Sequence, residues 1–197
     1  MVRHMRPDTL YIAPTSYIVP FLLGRSIRYV PIVHDLIAFH REPHQWKARI
    51  IERATLQRVL RNAWRVGAVS ATTAYDLQSR YLFLTSPILV PLSGGPSYAL
   101  PFRWESDGRT ILCIGTLCPR KNQKRLIEAY AMLPADLRER FRLCFIGGRG
   151  WKDQGILRAI HRTKGVVWDG YVSTDVRTAA LQSCHALVLP SLYEGLG

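Results

Sequence analysis

The sequence predicts an α/β protein with two domains, each built on a parallel β-sheet. Short apolar runs alternate with amphipathic helical segments along most of the 197 residues. Strands that are apolar almost throughout are typical of parallel sheets that helices cover on both faces. A stretch rich in Gly, Pro and Ser interrupts the alternation at residues 93–108. We therefore predict one domain at 1–92, a linker at 93–108 and a second domain at 109–197.

The first series of elements contains four strands and two helices. The strands are apolar runs with many β-branched and aromatic residues, and the longer helix repeats its apolar side chains at steps of three and four. The predicted strands cover 9–13, 29–34, 65–70 and 87–92, and the predicted helices cover 46–64 and 72–81. The apolar stretch 9–24 is interrupted by Pro14 and Pro20 and is too short to span a membrane, so we predict a strand followed by a loop.

The helix at 46–64 has an apolar side and a basic side. The apolar side is formed by Trp46, Ile50, Ile51, Ala54, Val59, Leu60, Ala63 and Trp64. Arg49, Arg53, Arg58 and Arg61 occupy much of the other side. This basic side is either an ordinary solvated surface or a contact with anionic lipid.

The second series alternates strictly. The predicted strands cover 110–115, 141–148, 166–170 and 185–191, and the predicted helices cover 124–133, 155–164 and 174–184, the last capped by Thr174. Each strand is followed by a loop: GTLCPRKN, GGRGW, GYVS and PSLYEGLG. Ligands of open α/β sheets bind beyond the carboxyl ends of the strands, and we expect these four loops to meet there.

Four residues are candidate ligand-binding or catalytic residues, and each also has a plainer structural explanation. Arg120 and Lys121 place two cations between a strand and the start of a helix, which favours a diphosphate site, although a solvated basic loop has the same residues. The carboxylate of Glu194 could accept hydrogen bonds from sugar hydroxyls or belong to an exposed loop. His34 ends a strand, where it either meets a substrate or is a structural histidine. The GGRGW segment fits a tight turn better than a nucleotide fingerprint.

The amino-acid composition limits the classes of partner that the protein is expected to bind. The formal charge of +13 favours anionic partners, such as phosphorylated small molecules, an anionic membrane or nucleic acid. The basic and aromatic residues do not form a known nucleic-acid-binding pattern, so we expect no nucleic-acid partner. The sequence contains no DxD pair, no P-loop and no GxSxG elbow. These absences disfavour, in that order, a metal-chelated diphosphate, a P-loop NTPase and an α/β-hydrolase. The four cysteines lack zinc-site spacing and are expected to be buried free thiols.

Taken in order, these loops resemble those of the family-4 glycosyltransferases of the GT-B fold. GTLCPRKN, GGRGW, GYVS and PSLYEGLG carry the resemblance in the second domain, and YIAPTSYIVP, VPIVHDL and VGAVSATTAYDL carry it in the first. Among these enzymes the pattern looks most like bacterial mannosyltransferases. The resemblance implies two Rossmann-like domains, both incomplete, of which 1–92 faces the acceptor and 109–197 binds the donor.

The resemblance also implies roles for individual residues. Glu194 and His34 correspond to catalytic residues near the transferred sugar, and Ser70 falls beside the cleft. The implied donor-binding residues are Thr116, Arg120, Lys121, Tyr171, Val172, Gly195, Leu196 and Gly197. Many relatives have an Arg at the position of Thr116, and Arg120 is the candidate to replace it. The family's second glutamate would lie five residues past Gly197, so the resemblance implies an internal fragment that is inactive alone.

The implied reaction moves a sugar from a nucleotide diphosphate to an acceptor hydroxyl and retains the anomeric configuration. The donor is a nucleotide sugar, with GDP-mannose as the first candidate, and no metal or other cofactor is expected. The acceptor is a glycan or a lipid-linked sugar. The expected location is the cytoplasm, with peripheral contact at the inner face of an anionic membrane. The alternative is an inactive or degenerate module that binds a nucleotide sugar without transferring it.

Overall fold

The computed structural model divides the chain into two compact units. Unit 1 comprises Met1–Ser93 with Glu194–Gly197, and unit 2 comprises Gly94–Tyr193. Each unit contains one parallel sheet, which confirms the predicted α/β class. The structure describes residues 9–15, 17–23, 25–40, 46–90 and 103–196.

The sheet of unit 1 has the strand order β1-β2-β3-β4, and all three pairings are parallel. Its strands are β1 (Leu10–Ala13), β2 (Arg28–Val33), β3 (Gly67–Ala68) and β4 (Ile88–Leu89). The four predicted strands are present, and β3 and β4 are shorter than predicted because only two residues of each pair with a neighbour. Positions 91–92 of the predicted fourth strand lie outside the described residues.

The helices of unit 1 are α1 (Ile18–Leu23), α2 (Trp46–Asn62) and α3 (Ala71–Arg80), with a short 3-10 helix at Ile37–Phe39. Helix α1 corrects the prediction of a loop after the first strand. Pro20 is compatible with it because the third helical position lies in the first turn, where the missing N–H has no helical partner.

Helix α2 buries only its second half. Leu56, Val59 and Leu60 lie in the core, where they pack with residues such as Leu77 and Val33. The apolar residues of the first half are exposed, namely Trp46 (66%), Ile50 (58%) and Ile51 (51%). The repeat in the sequence shows which residues share a face, but it does not show how far along the helix the packing partners extend.

The sheet of unit 2 has the order β7-β6-β5-β8, again with every pairing parallel. Its strands are β5 (Thr110–Ile114), β6 (Arg142–Ile146), β7 (Val166–Trp168) and β8 (Ala186–Leu187). Leu112, Leu143 and Phe145 are almost fully buried in this sheet. The four cysteines are buried and free, as predicted, and burial raises the pKa of the Cys113 thiol to about 11.

The helices of unit 2 are α4 (Gln123–Ala131), α5 (Ala135–Arg140), α6 (Gln154–Arg162) and α7 (Thr174–Ser183). The sequence analysis missed α5, a six-residue helix without buried residues and thus without a clear apolar repeat. It also misplaced the cap of α7 by one residue. The cap is Ser173, whose extended backbone brings its side chain within 3.3 Å of the Val176 N–H, and Thr174 is the first helical residue.

The described part of the predicted linker, residues 103–108, packs on the end of α7. The indole of Trp104 donates a hydrogen bond of 2.6 Å to the Cys184 carbonyl, and the Glu105 N–H donates to the carbonyl of Gln182. Positions 93–102 of the predicted linker lie outside the described residues. None of the helices in the described ranges is both long enough and apolar enough to cross a bilayer.

Candidate functional site

Three of the loops at the carboxyl edge of the unit 2 sheet are joined through their backbones. Leu117, in the loop after β5, donates its N–H to the Gly148 carbonyl at 3.0 Å. Gly147, at the end of β6, donates to the Gly170 carbonyl after β7 at 2.8 Å. The topology therefore brings these loops together as the sequence predicts.

Gly147 is the closest point of this junction. A Cβ at this position would lie 2.2 Å from the Gly115 carbonyl oxygen, and the backbone has φ of +147°. A side chain would collide with the neighbouring loop, so only glycine fits. The glycines of GGRGW thus serve a tight strand-to-loop turn, in agreement with the plainer alternative.

Arg120 and Lys121, the predicted diphosphate ligands, lie in a loop whose shape is fixed by hydrogen bonds. Pro119–Lys121 form a 3-10 helix, and Asn122 then takes a left-handed conformation before α4 begins. The buried amide of Gln123 donates to the Thr116 carbonyl at 3.0 Å and accepts from the Cys118 N–H at 3.4 Å. Sequence reasoning missed Gln123, whose position at a helix start gives no sign that its side chain turns back into the loop.

The same loop is hydrogen-bonded to the segment Pro190–Tyr193 after β8. The Leu192 N–H donates to the Arg120 carbonyl at 2.9 Å, and Nη1 of Arg120 donates to the Tyr193 carbonyl at 2.8 Å. Nδ2 of Asn122 donates to the Pro190 carbonyl at 3.1 Å. Two motifs that are about 70 residues apart in the chain therefore form one structure, with Arg120 and Lys121 half-buried within it.

The loop after β7 holds Tyr171 and Val172. Val172 packs against the cluster that contains Leu112 and Ile146, and this anchors the loop. Tyr171 is 87% exposed, which leaves its ring face available to a flat ligand. Thr116 is exposed in the loop after β5.

In unit 1 the structure brings His34, Ser70 and Gly195 together. The hydroxyls of Ser70 and Thr73 donate to the Gly195 carbonyl at 2.5 and 3.2 Å. Thr73 also donates to the His34 carbonyl at 3.1 Å. These bonds hold the segment of half-buried Glu194 beside the end of β2. Leu196 is 53% exposed, and Gly197 lies outside the described residues.

Thr73 is a residue that sequence reasoning missed. Its side chain is fully buried, and its N–H donates to the Ser70 hydroxyl, which caps α3 at 3.1 Å. The spacing of a Ser and a hydroxyl residue three positions later is a helix-start signal that could have identified it.

His34 has one ring nitrogen fixed. Nε2 lies 2.6 Å from the Pro14 carbonyl, and because a carbonyl oxygen only accepts, Nε2 carries a proton and donates it. In the neutral ring Nδ1 is then an acceptor. Within the described ranges, no three His, Cys, Asp or Glu side chains converge on a metal-sized site, and the expectation of a metal-free reaction stays a prediction.

Comparison with known proteins identifies the family. Residues 101–197 match the family Glycosyl transferases group 1. Over 89 residues the chain is 37% identical to the O-antigen chain mannosyltransferase B of Escherichia coli. That match covers 44% of this chain and 23% of the relative, so the chain spans well under half of the relative's length.

Solved structures share the fold at low identity. TarM superposes with a TM-score of 0.70 and 16% identity, over 97% of this chain and 38% of TarM. The pneumococcal O-GlcNAc transferase GtfA, solved in complex with UDP and GlcNAc, superposes with a TM-score of 0.64 and 16% identity, over 100% of this chain and 40% of GtfA. Residues 101–197 therefore belong to the glycosyl transferases group 1 family, and the two parallel sheets of the chain have the GT-B fold of these enzymes.

Proposed function

We propose that this protein transfers a sugar from a nucleoside diphosphate donor to an acceptor hydroxyl and retains the anomeric configuration. The acceptor is a glycan or a lipid-linked sugar of a polysaccharide pathway. Mannose is the proposed sugar and GDP-mannose the proposed donor, because the E. coli relative is named as a mannosyltransferase. The UDP bound to GtfA supports a nucleotide donor in general.

The observation that carries the proposal is the position of Arg120 and Lys121. Both side chains lie at the carboxyl edge of the unit 2 sheet, in the loop that leads into α4. Hydrogen bonds from Gln123 and to Pro190–Tyr193 fix the shape of this loop before any ligand binds. A preformed pair of cations suits a diphosphate because little has to be reorganised on binding.

The proposed chemistry follows from this charge. Negative charge grows on the diphosphate as the bond to the sugar breaks, and Arg120 and Lys121 stabilise it more in the transition state than in the bound donor. Tyr171 stacks on the nucleotide base, and Val172 holds its loop. Thr116 and the backbone of Gly195, Leu196 and Gly197 contact the donor.

Two residues are assigned to the transferred sugar itself. The carboxylate of Glu194 stabilises positive charge that develops at the sugar carbon, and His34 binds beside it with Nδ1 as an acceptor. Ser70 holds the Glu194 segment in place through the Gly195 carbonyl.

A transfer assay tests the proposal. The protein at its native full length is incubated with GDP-mannose and a mannose-terminated acceptor, and with UDP-glucose or UDP-N-acetylglucosamine in parallel, because the 197 residues alone are expected to be inactive. We expect release of GDP and an α-linked product by proton NMR. An inverted product contradicts retention. Donor binding without any transfer supports the alternative of a binding module, and a chain that binds none of the three donors contradicts both.

We also propose that the first half of α2 contacts an anionic membrane. Trp46, Lys47, Ile50 and Ile51 are neighbours at three- and four-residue steps, and the three apolar side chains are largely exposed. An apolar face beside a cation fits the interface of an anionic bilayer. Arg49 and Arg53 donate to the backbone carbonyls of His40 and Ala38, so the proposed contact uses the apolar side chains of the first half rather than these two arginines.

Co-sedimentation with liposomes of phosphatidylglycerol tests this contact. We expect Ile50→Ser to lower the bound fraction. The matched control is Leu82→Ser, since Leu82 is also exposed (88%) but lies away from α2 in the chain. Equal binding of wild type and Ile50→Ser to the liposomes would contradict the proposed membrane contact of α2.

A further inference from the structure

A cavity of about 330 Å³ lies in unit 1, beyond the carboxyl ends of β1 and β2. This volume falls in the range of about 300–1,000 Å³ that is usual for small-molecule sites. Its lining residues are Thr15, Tyr17, His34, Asp35, Ile37 and Glu52. Five of these six have polar side chains that can donate or accept hydrogen bonds, whereas the usual binding pocket is mostly apolar.

Glu52 projects into this cavity from α2. It is half-buried, and no hydrogen bond or ion pair to its carboxyl group exists among the residues that the structure describes. Burial and, secondarily, the charge of Asp35 raise the pKa of Glu52 to about 7. Near neutral pH a large fraction of Glu52 is therefore a neutral carboxylic acid, which can donate a hydrogen bond as well as accept one.

The other titratable groups around Glu52 favour its neutral, protonated form. Asp35 reaches it from the loop after β2, and one carboxylate oxygen of Asp35 accepts from the Ile37 N–H at 3.1 Å. Burial, followed by the charges of Glu52 and Asp35, raises the pKa of Tyr17, so its hydroxyl stays a donor. The nearby arginines of α2, Arg49 and Arg53, donate to backbone carbonyls outside the cavity.

The lining also excludes one class of ligand. Among the described residues, the lining contains two carboxyl groups and no Lys or Arg side chain, so a phosphate or carboxylate in the cavity would meet negative charge without a compensating cation. His34 is the only basic group among these described lining residues, and its Nε2 already donates to the Pro14 carbonyl. A neutral molecule with several hydroxyl groups matches the mixture of donors and acceptors.

We propose that this cavity binds a neutral sugar unit of the acceptor through its hydroxyl groups, and that Glu52 is the residue that selects it. The inference rests on the proposed glycosyl transfer and gives its acceptor a chemical class, an uncharged sugar rather than a phosphorylated one. Glu52 donates to one sugar hydroxyl, and Asp35 accepts from another. Above the titration of Glu52 the donor is lost and two negative charges face each other.

Ligand-observed NMR titration of the 197-residue chain tests the proposal with two probes, methyl α-mannopyranoside and mannose 6-phosphate. We expect the neutral probe to bind about tenfold more tightly than the phosphate at pH 6. Wild-type affinity for the neutral probe is expected to fall about fivefold or more between pH 6 and pH 8.5. Glu52→Gln keeps a donor and an acceptor without titrating, so its affinity stays within about twofold over the same range.

Four controls separate the explanations. Glu128→Gln, at an exposed position of α4, makes the same chemical change away from the cavity and retains the wild-type pH profile. Circular dichroism confirms that each variant is folded, and Glu52→Asp serves as a second variant with a shortened carboxyl group that weakens binding. Saturating GDP-mannose is expected to leave the neutral probe bound, because transfer requires the donor sugar and the acceptor sugar to be bound side by side at the same time.

Several outcomes overturn the proposal. Displacement of the neutral probe by GDP-mannose would assign the cavity to the donor, and tighter binding of mannose 6-phosphate would reverse the charge argument. Identical pH profiles for wild type and Glu52→Gln would remove Glu52 from recognition. GDP binding by unit 2 is measured in the same samples, so a failure of the cavity is distinguishable from a failure of the proposed transferase function.

Discussion

Gly195 shows how a residue without a side chain positions its neighbour, Glu194. A Cβ at Gly195 would lie 1.8 Å from the His34 carbonyl oxygen and 2.7 Å from Cβ of Asp35. The close approach lets Ser70 and Thr73 bind the Gly195 carbonyl, and it sets Glu194 beside the end of β2. In the sequence, the glycine after Glu194 indicates a turn but does not indicate which strand end it meets.

Glu52 gives a prediction for stability at the residue scale. Its pKa is raised from an ordinary 4.5 to about 7, so the folded state holds a proton that the unfolded state releases between these values. The contribution of Glu52 to the free energy of unfolding is thus fully present below the ordinary pKa and is lost as the pH rises through about 7. Because the side chain is only half-buried, solvent screening reduces the effect, and we expect Glu52→Gln to gain about 1–2 kcal/mol relative to wild type as the pH rises from 5 to 8.

Chemical denaturation of both proteins at the two pH values measures this difference. Glu128→Gln is the control, and its curve should run parallel to that of wild type because Glu128 is exposed. If the free energies of unfolding of wild type and Glu52→Gln change in parallel with pH, the carboxyl group of Glu52 is ionised in the folded protein. The cavity then lacks its proposed hydrogen-bond donor.

At the scale of elements, the loops of unit 2 are held by contacts between backbones. The junction depends on Gly147, whose φ of +147° and 2.2 Å approach to the Gly115 carbonyl leave no room for a Cβ. We expect Gly147→Ala to destabilise β5 and β6 by at least about 1–3 kcal/mol, because strain and a backbone collision add. Hydrogen exchange of the β5 and β6 amides reports this loss within unit 2.

Gly148→Ala is the matched control for this change. A Cβ at Gly148 would meet no atom within 4 Å, so we expect an effect within about 0.5 kcal/mol. Equal protection of β5 and β6 in the two variants would show that the loops are not joined as described.

The sequence predicted the order of strands and major helices but not the contacts that join them. The apolar runs of β5 and β6 identify buried strands because parallel sheets are covered on both faces. Helix α5 and the exposed first half of α2 were not predicted, since packing partners rather than periodicity decide them. Arg120 and Lys121 were predicted as donor ligands from the order of motifs, and that role stays a prediction, whereas Gln123 and Thr73 act through bonds to residues that only the fold brings near.

At the scale of the whole molecule, the chain combines a strong positive charge with a proposed diphosphate site. The formal charge of +13 attracts anionic ligands over long distances but does not select among them. Selection requires a preformed local arrangement, which in our proposal the loop of Arg120 and Lys121 provides. We therefore expect selection of the donor to depend on this loop more than on the net charge.

The most direct test is calorimetric titration of the chain with GDP-mannose. The double variant Arg120→Gln and Lys121→Gln is compared with wild type and with a charge-matched control, Arg162→Gln and Lys164→Gln. These control residues are exposed and lie before β7, at the amino edge of the sheet. The account predicts that the first double variant binds at least about tenfold more weakly, while the control stays within about twofold of wild type. Equal affinities of all three proteins, or an equal loss in both double variants, would contradict the assignment of a specific donor diphosphate site.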